Sequence, residues 1–167
     1  MYPIYSHTAR RQGVPCFPKT YFQNILREFG ENSKILLVTH EEKPVAYYLV
    51  LYFKNKMVAQ FAGALSDYYS LYPNEFLFWM AVEEACTLGL QEFDFCRSRM
   101  GTGTALFKEK LRFQAEPCDS QYYFPNHAPQ SEAKNKKSKF QWASQAWQHL
   151  PLKVTESLGP IVLRYFA

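Results

Sequence analysis

The spacing of apolar residues changes several times along this chain, and each change predicts a different element. Ile4 to Gln12 reads as a first helix and Lys19 to Phe29 as a second, with Gly30 as the residue that stops it. Ile35 to Thr39 and Val45 to Phe53 read as strands joined by a tight turn at Glu41-Glu42-Lys43. The second of these is apolar almost throughout, the pattern of a strand covered on both faces. Lys54-Asn55-Lys56 turns the chain into a third strand, Met57 to Ala64. A strongly apolar helix runs from Asn74 to Leu88, entered near Pro73 and ended by Gly89. Phe93 to Phe95 is a short strand, Thr104 to Leu111 a helix, and Ser120 to Phe124 a last strand. This order predicts an α+β domain.

The C-terminal part has its own pattern. Phe140, Ala143, Ala146, Trp147 and Leu150 recur at helical spacing, with Trp142 at the margin of the stripe. A second short helix is expected after Gly159, with Pro160 at its first position and Ile161, Val162, Leu163 and Phe166 behind it. So much apolar surface on two short helices needs a cover. The domain itself, a partner chain, or a membrane surface beside Lys136, Lys137 and Lys139 would each serve.

Composition narrows the class. A chain of 167 residues that is 47% hydrophobic and 17% aromatic can bury a core of its own. No apolar run reaches the ~18 residues of a membrane span, and the first residues lack a signal-peptide pattern, so a cytoplasmic location is expected. Cys16, Cys86, Cys96 and Cys118 are scattered, as are His7, His40, His127 and His149, so neither a metal site nor a disulfide framework is expected. Residues 1–130 carry 13 Lys+Arg and 13 Asp+Glu, and the whole net charge of +4 comes from the remainder. Ala133 to Ser138 and Lys139 form a basic, polar linker that suits either solubility or contact with an anionic polymer or surface.

The stretch with most chemistry is Phe93-Asp94-Phe95-Cys96-Arg97-Ser98, followed by Gly101-Thr102-Gly103-Thr104 and, one turn into a helix, Lys108. A strand end, a glycine loop and a helix start present free backbone N–H groups, and Arg97 and Lys108 add positive charge, so an anion site is expected. The same residues also read as an ordinary strand-to-helix turn with solvated charges. Asp94 either orients an amine or forms a structural ion pair with Arg97. Tyr68 and Tyr69 lie where the chain leaves the third strand, either as hydroxyls for a carbonyl or phosphate or as core aromatics.

The pattern D-F-x-R-S-x-x-G-x-G-x-x-x-F-K, from Asp94 to Lys108, resembles a signature of FemAB-type acyltransferases, above all those associated with exosortase and exopolysaccharide genes. Tyr5 to Phe22, with Gly13-Val14-Pro15 and Phe17-Pro18, is similar to the R-x-L-G-T-P-V-F-P segment of that family. Tyr69 to Trp79, through Leu71-Tyr72-Pro73-Asn74, resembles its Y-x-x-L-x-P-N-x-x-x-x-W segment, and Gln121-Tyr122-Tyr123, Leu150-Pro151-Leu152 and Leu158-Gly159-Pro160 also fall in place. Arg112 departs from the pattern, standing where the family has a glycine in F-K-x-x-W-G. The family carries two tandem GNAT-like domains, and the resemblance covers only the second.

The resemblance implies a GNAT-like fold: a mixed, mostly antiparallel sheet flanked by helices, whose strands part between the third strand and the one after the long helix. It implies a GNAT-like domain over 1–124, a linker over 125–139 and a helical tail over 140–167. It implies acyl or aminoacyl transfer to an amine of a peptidoglycan precursor or an exopolysaccharide-related acceptor, at the inner face of the bacterial envelope. Lys108 and Asp94 become candidate catalytic residues, and Arg97, Ser98, Gly101, Gly103, Thr104, Tyr68 and Tyr69 candidate substrate- or anion-binding residues. No resident cofactor is implied, and aminoacyl-tRNA is the expected donor. Acetyl-CoA is disfavoured, because ordinary GNAT enzymes hold its pyrophosphate on a Q/R-x-x-G-x-G/A loop where this chain has Ser70-Leu71-Tyr72-Pro73-Asn74-Glu75. Partners implied are a separate N-terminal half or a second copy joined through the C-terminal helices, with peripheral membrane contact. Other readings stay open: a non-catalytic remnant or split subunit, a stand-alone N-acyltransferase with another donor, and a binding module for anionic polymers.

Overall fold

A computed structural model describes residues 1–118 and 142–165. The expected last strand at Ser120 to Phe124, the basic linker, Phe140 and Phe166 lie outside the described residues.

Helices α1 (Tyr2–Arg11) and α2 (Lys19–Phe29) lead through a 3-10 turn, Gly30–Asn32, into the sheet. Ile4, Tyr5, Thr8 and Ala9 share the buried face of α1. Strands β1 (Ser33–His40), β2 (Lys43–Phe53) and β3 (Lys56–Ala64) form an antiparallel meander. The β1–β2 turn places Glu41 and Glu42 at φ 48° and 64°, the mirror-image geometry that matches strand twist. Helix α3 (Pro73–Thr87) then crosses to β4 (Glu92–Asp94), and α4 (Gly103–Lys110) follows.

Strand β2 explains its own composition. Ala46, Tyr48 and Val50 pack with Leu77, Ala81 and Ala85 of α3 on one face of the sheet. Tyr47 and Leu49 pack with Ile4, Tyr5, Cys16 and Phe22 on the other. A strand between two helical layers has no solvent face to keep polar.

The sheet order is β1-β2-β3-β4. The β3–β4 pairing is parallel, which makes the sheet mixed and mostly antiparallel as expected. Helix α3 returns the chain to the starting end of β3, and a parallel pair needs such a crossover. Only Lys56, Met57 and Val58 pair with β4, so the strands part beyond Val58 as expected.

The tail corrects one expectation. A helix over 142–149, here α5, is followed by α6 (Leu152–Arg164), and Pro160 lies inside α6 rather than at its start. Pro151 takes the N-cap position instead. An interior proline forfeits one backbone hydrogen bond at ~3 kcal/mol or more, so local propensity opposes this helix. Packing outweighs it: Thr155 and Gly159 are buried, and a Cβ built on Gly159 would lie 2.6 Å from both the backbone N and O of Cys16. The tail also meets α1, where Arg10 Nη1 donates to the Leu150 carbonyl at 3.4 Å. The domain therefore receives the Thr155–Gly159 side of α6, while Trp142 and Ile161 of the apolar stripe stay exposed. Among the described residues no helix is long and apolar enough to cross a membrane.

Candidate functional site

Where β3 and β4 part, the β3 edge from Ala59 to Ala64 has no ladder partner among the described residues. That span is about 20 Å of open strand at ~3.3 Å per residue. At its near end the chain leaves β4 through Phe95, which lies edge-on to Tyr48 and packs with Phe78, Phe93 and Phe113. Cys96 then turns sharply at φ 53°, its N–H donating to Asp94 Oδ1 at 2.7 Å. No Asp94–Arg97 salt bridge forms among the described residues, so the carboxylate shapes the turn instead.

Lys108 reaches back from α4 to this turn. Its Nζ donates to the carbonyls of Phe95 at 2.5 Å and Cys96 at 2.9 Å. Burial holds the ammonium below lysine's ordinary range, with Cys96 and Asp94 opposing that shift. An ammonium has three donors, so one remains for a ligand. Burial, then Asp94, pushes the Cys96 thiol up, opposed by Lys108 and Arg97.

The loop before α4 is a capped helix start. Thr102 Oγ1 accepts from the Ala105 N–H at 3.4 Å and donates to the Arg99 carbonyl at 2.7 Å. Of the two glycines, Gly101 alone has a left-handed backbone, at φ 75°, while Gly103 is the first residue of the helix. The N–H groups of Gly103 and Thr104, in the first turn of α4, have no carbonyl within the helix to bond. Arg97 is exposed, and Ser98 Oγ is enclosed with no hydrogen-bond partner among the described residues.

Just past the end of α4, Arg112 takes φ 58°, at the position where the resembled family has a glycine. The Phe113 N–H donates to the Lys108 carbonyl at 3.3 Å, closing a Schellman turn that seats Phe113 against Phe95. The geometry survives the missing glycine, at a cost of ~1–2 kcal/mol for a left-handed non-glycine residue. Arg112→Gly is therefore expected to stabilise the chain by up to about 1 kcal/mol, after the extra flexibility of glycine in the unfolded state. A urea-unfolding midpoint that stays put or falls would contradict this account.

Tyr68 and Tyr69 lie at the far end of the open edge, in the 3-10 turn Ser66–Leu71. Tyr68 OH accepts from Lys43 Nζ at 3.2 Å, and the Arg11 guanidinium stands 5.2 Å from the Tyr69 ring centre. Among the described residues no hydrogen bond or ring contact joins these tyrosines to the Asp94–Lys108 group. The candidate residues thus form two clusters at opposite ends of one edge.

The start of α3 offers little to a pyrophosphate. Tyr72 is left-handed at φ 53°, its N–H is taken by the Tyr69 carbonyl, and Pro73 has no N–H. Asn74 and Glu75 are the remaining first-turn N–H groups, and the Glu75 carboxylate opposes an anion there. The pyrophosphate of acetyl-CoA, the donor such a fold implies, would find fewer backbone donors here than a glycine loop supplies.

Sequence reading missed a second feature. A cleft of about 560 Å³ lies between α1 and the ends of β2 and β3, and Arg10, Arg11 and Lys43 line it. The only signal was the adjacent Arg10-Arg11 pair, hidden by the neutral charge count of residues 1–130.

Comparison with known proteins agrees with this architecture. The family model described as "Acetyltransferase (GNAT) domain" matches residues 1–109. No curated protein matches the chain. A crystal structure of a transcriptional regulator from Bacillus halodurans C-125 is similar at a TM-score of 0.53 and 17% identity, covering 65% of this chain and 77% of that one. The ribosomal-protein-S18-alanine N-acetyltransferase from Escherichia coli is similar at 0.53 and 14% identity, covering 76% and 81%. At these identities the two structures speak to fold alone.

Proposed function

Because the chain belongs to the GNAT acetyltransferase family, whose members transfer an acyl group to an amine, we propose an aminoacyl ester as its donor rather than acetyl-CoA. The acceptor in this reading is an amine of a peptidoglycan precursor or an exopolysaccharide-related molecule, as in FemAB-type enzymes. The observation that carries it is the open β3 edge, flanked by the Asp94–Lys108 turn but lacking a pyrophosphate cradle at α3.

In this proposal the acyl carbonyl lies along the edge between Ala59 and Ala64, where unpaired backbone N–H groups face the developing oxyanion. The neutral amine attacks the ester carbon, an N–C bond forms, and the C–O bond of the donor breaks. The amine proton passes to the leaving oxygen. Asp94, with one oxygen held by Cys96 N–H, keeps the other for the amine. The third donor of Lys108, with Arg97 and the Gly103 and Thr104 N–H groups, meets the donor phosphate. Ser98 and Gly101 shape that loop, and Tyr68 and Tyr69 close the far end. A separate N-terminal half or a second copy would complete the acceptor grip, and the basic segment would bring the enzyme to the inner membrane face.

Donor choice is open to a direct test. Acetyl-CoA titrated into the full chain by calorimetry is expected to give no saturable heat up to about 1 mM, whereas aminoacyl-tRNA should retard the chain in a native gel. Micromolar or tighter binding of acetyl-CoA would falsify the donor assignment.

A further inference from the structure

We infer that the cleft between α1 and the ends of β2 and β3 is a binding site for a phosphate or diphosphate group of a substrate. Its volume of about 560 Å³ is that of a small-molecule site. Arg10, Arg11 and Lys43 line it against a single carboxylate, Asp67, and His7 stands among them. None of the three cations forms a salt bridge among the described residues. Lys43 instead donates to the neutral Tyr68 hydroxyl and lies 5.2 Å from the centre of that ring. Arg11 stands over the ring of the next residue, Tyr69. Two successive residues of one 3-10 turn thus hold two positive charges of one cleft with aromatic side chains rather than carboxylates.

A ring face attracts a cation but does not neutralise it, so the charge remains for a ligand. Arg10 is fixed more firmly, with Nη1 on the Leu150 carbonyl and Nε enclosed with no partner among the described residues. Asp67 is already engaged by Ser66 Oγ at 3.3 Å. A lining with an excess of two cations suits a doubly charged oxyanion better than a single carboxylate, and Arg adds fork-shaped donors that match phosphate. The cleft takes in Ala64 and Leu65, so it adjoins the far end of the open β3 edge. The inference rests on the acyl-transfer reading only in calling the ligand a substrate.

Pyrophosphate is the probe, titrated into the full chain at low salt and again at 0.5 M salt. Saturable binding is expected, and the double variant Arg11→Gln/Lys43→Gln should weaken it at least tenfold. A control, Lys19→Gln/Lys54→Gln, removes the same charge elsewhere on the surface and should leave binding within twofold. Equal weakening by both pairs, or no saturable binding to the unsubstituted chain, overturns the site. Co-sedimentation with phosphatidylglycerol vesicles separates the sources: loss in the Arg11/Lys43 pair alone supports a lipid headgroup, and pyrophosphate binding without sedimentation supports a soluble diphosphate. Because no transfer is measured, failure of the donor assignment leaves this result unaffected.

Discussion

Lys108→Met is expected to destabilise the chain by about 1.5–3 kcal/mol, the worth of a hydrogen bond to a charged donor, and to lower transfer or anion binding about tenfold or more. Methionine keeps the apolar stem but leaves the Phe95 and Cys96 carbonyls without their donor. Those carbonyls sit at the point where β4 leaves the sheet, so their release loosens the path from Asp94 to the α4 terminus. Lys108→Arg separates the two roles, since a guanidinium can still donate to both carbonyls. Urea unfolding reads the first effect, and aminoacyl-tRNA retardation the second. If Lys108→Met unfolds at the same urea concentration as the unsubstituted chain, the lysine does not hold this turn.

Gly159→Val should cost about 3 kcal/mol, the upper range for overpacking, because the clash is with backbone. A Cβ at this position meets the N and O of Cys16, and no side-chain rotation relieves that contact. The variant is expected to lift α6 away from α1 and to expose Cys16, which is fully buried. Burial, then Glu156, pushes the Cys16 thiol up to about 11, so it should resist iodoacetamide at pH 8 while the exposed Cys86 reacts. In Gly159→Val, Cys16 should react at a rate approaching that of Cys86. Peptide mass spectrometry resolves the two sites, and unchanged protection of Cys16 would show that α6 docks in some other way.

Both sites show how far local pattern reaches. The helix Lys19–Phe29, the doubly covered strand β2 and the start of α3 at Pro73 were legible because each is set by short-range periodicity, a stop residue or a missing N–H. The glycine loop after Phe95 was equally legible as a strand-to-helix turn ahead of Lys108. What those residues touch was not. The pairing of Lys108 with two carbonyls depends on where α4 folds back, which no spacing along the chain specifies.

The sequence by itself determined the order of elements and the two-sided burial of β2, because backbone propensity and apolar period act over a few residues. Tertiary structure decided the parallel direction of β4, the separation of Tyr68 and Tyr69 from Lys108, and the convergence of Arg10, Arg11 and Lys43 on one cleft. It also decided that α6 runs through Pro160, since close packing of Gly159 on Cys16 offsets a lost backbone hydrogen bond. These outcomes rest on contacts between segments far apart in the chain, where burial and fixed geometry outweigh local preference.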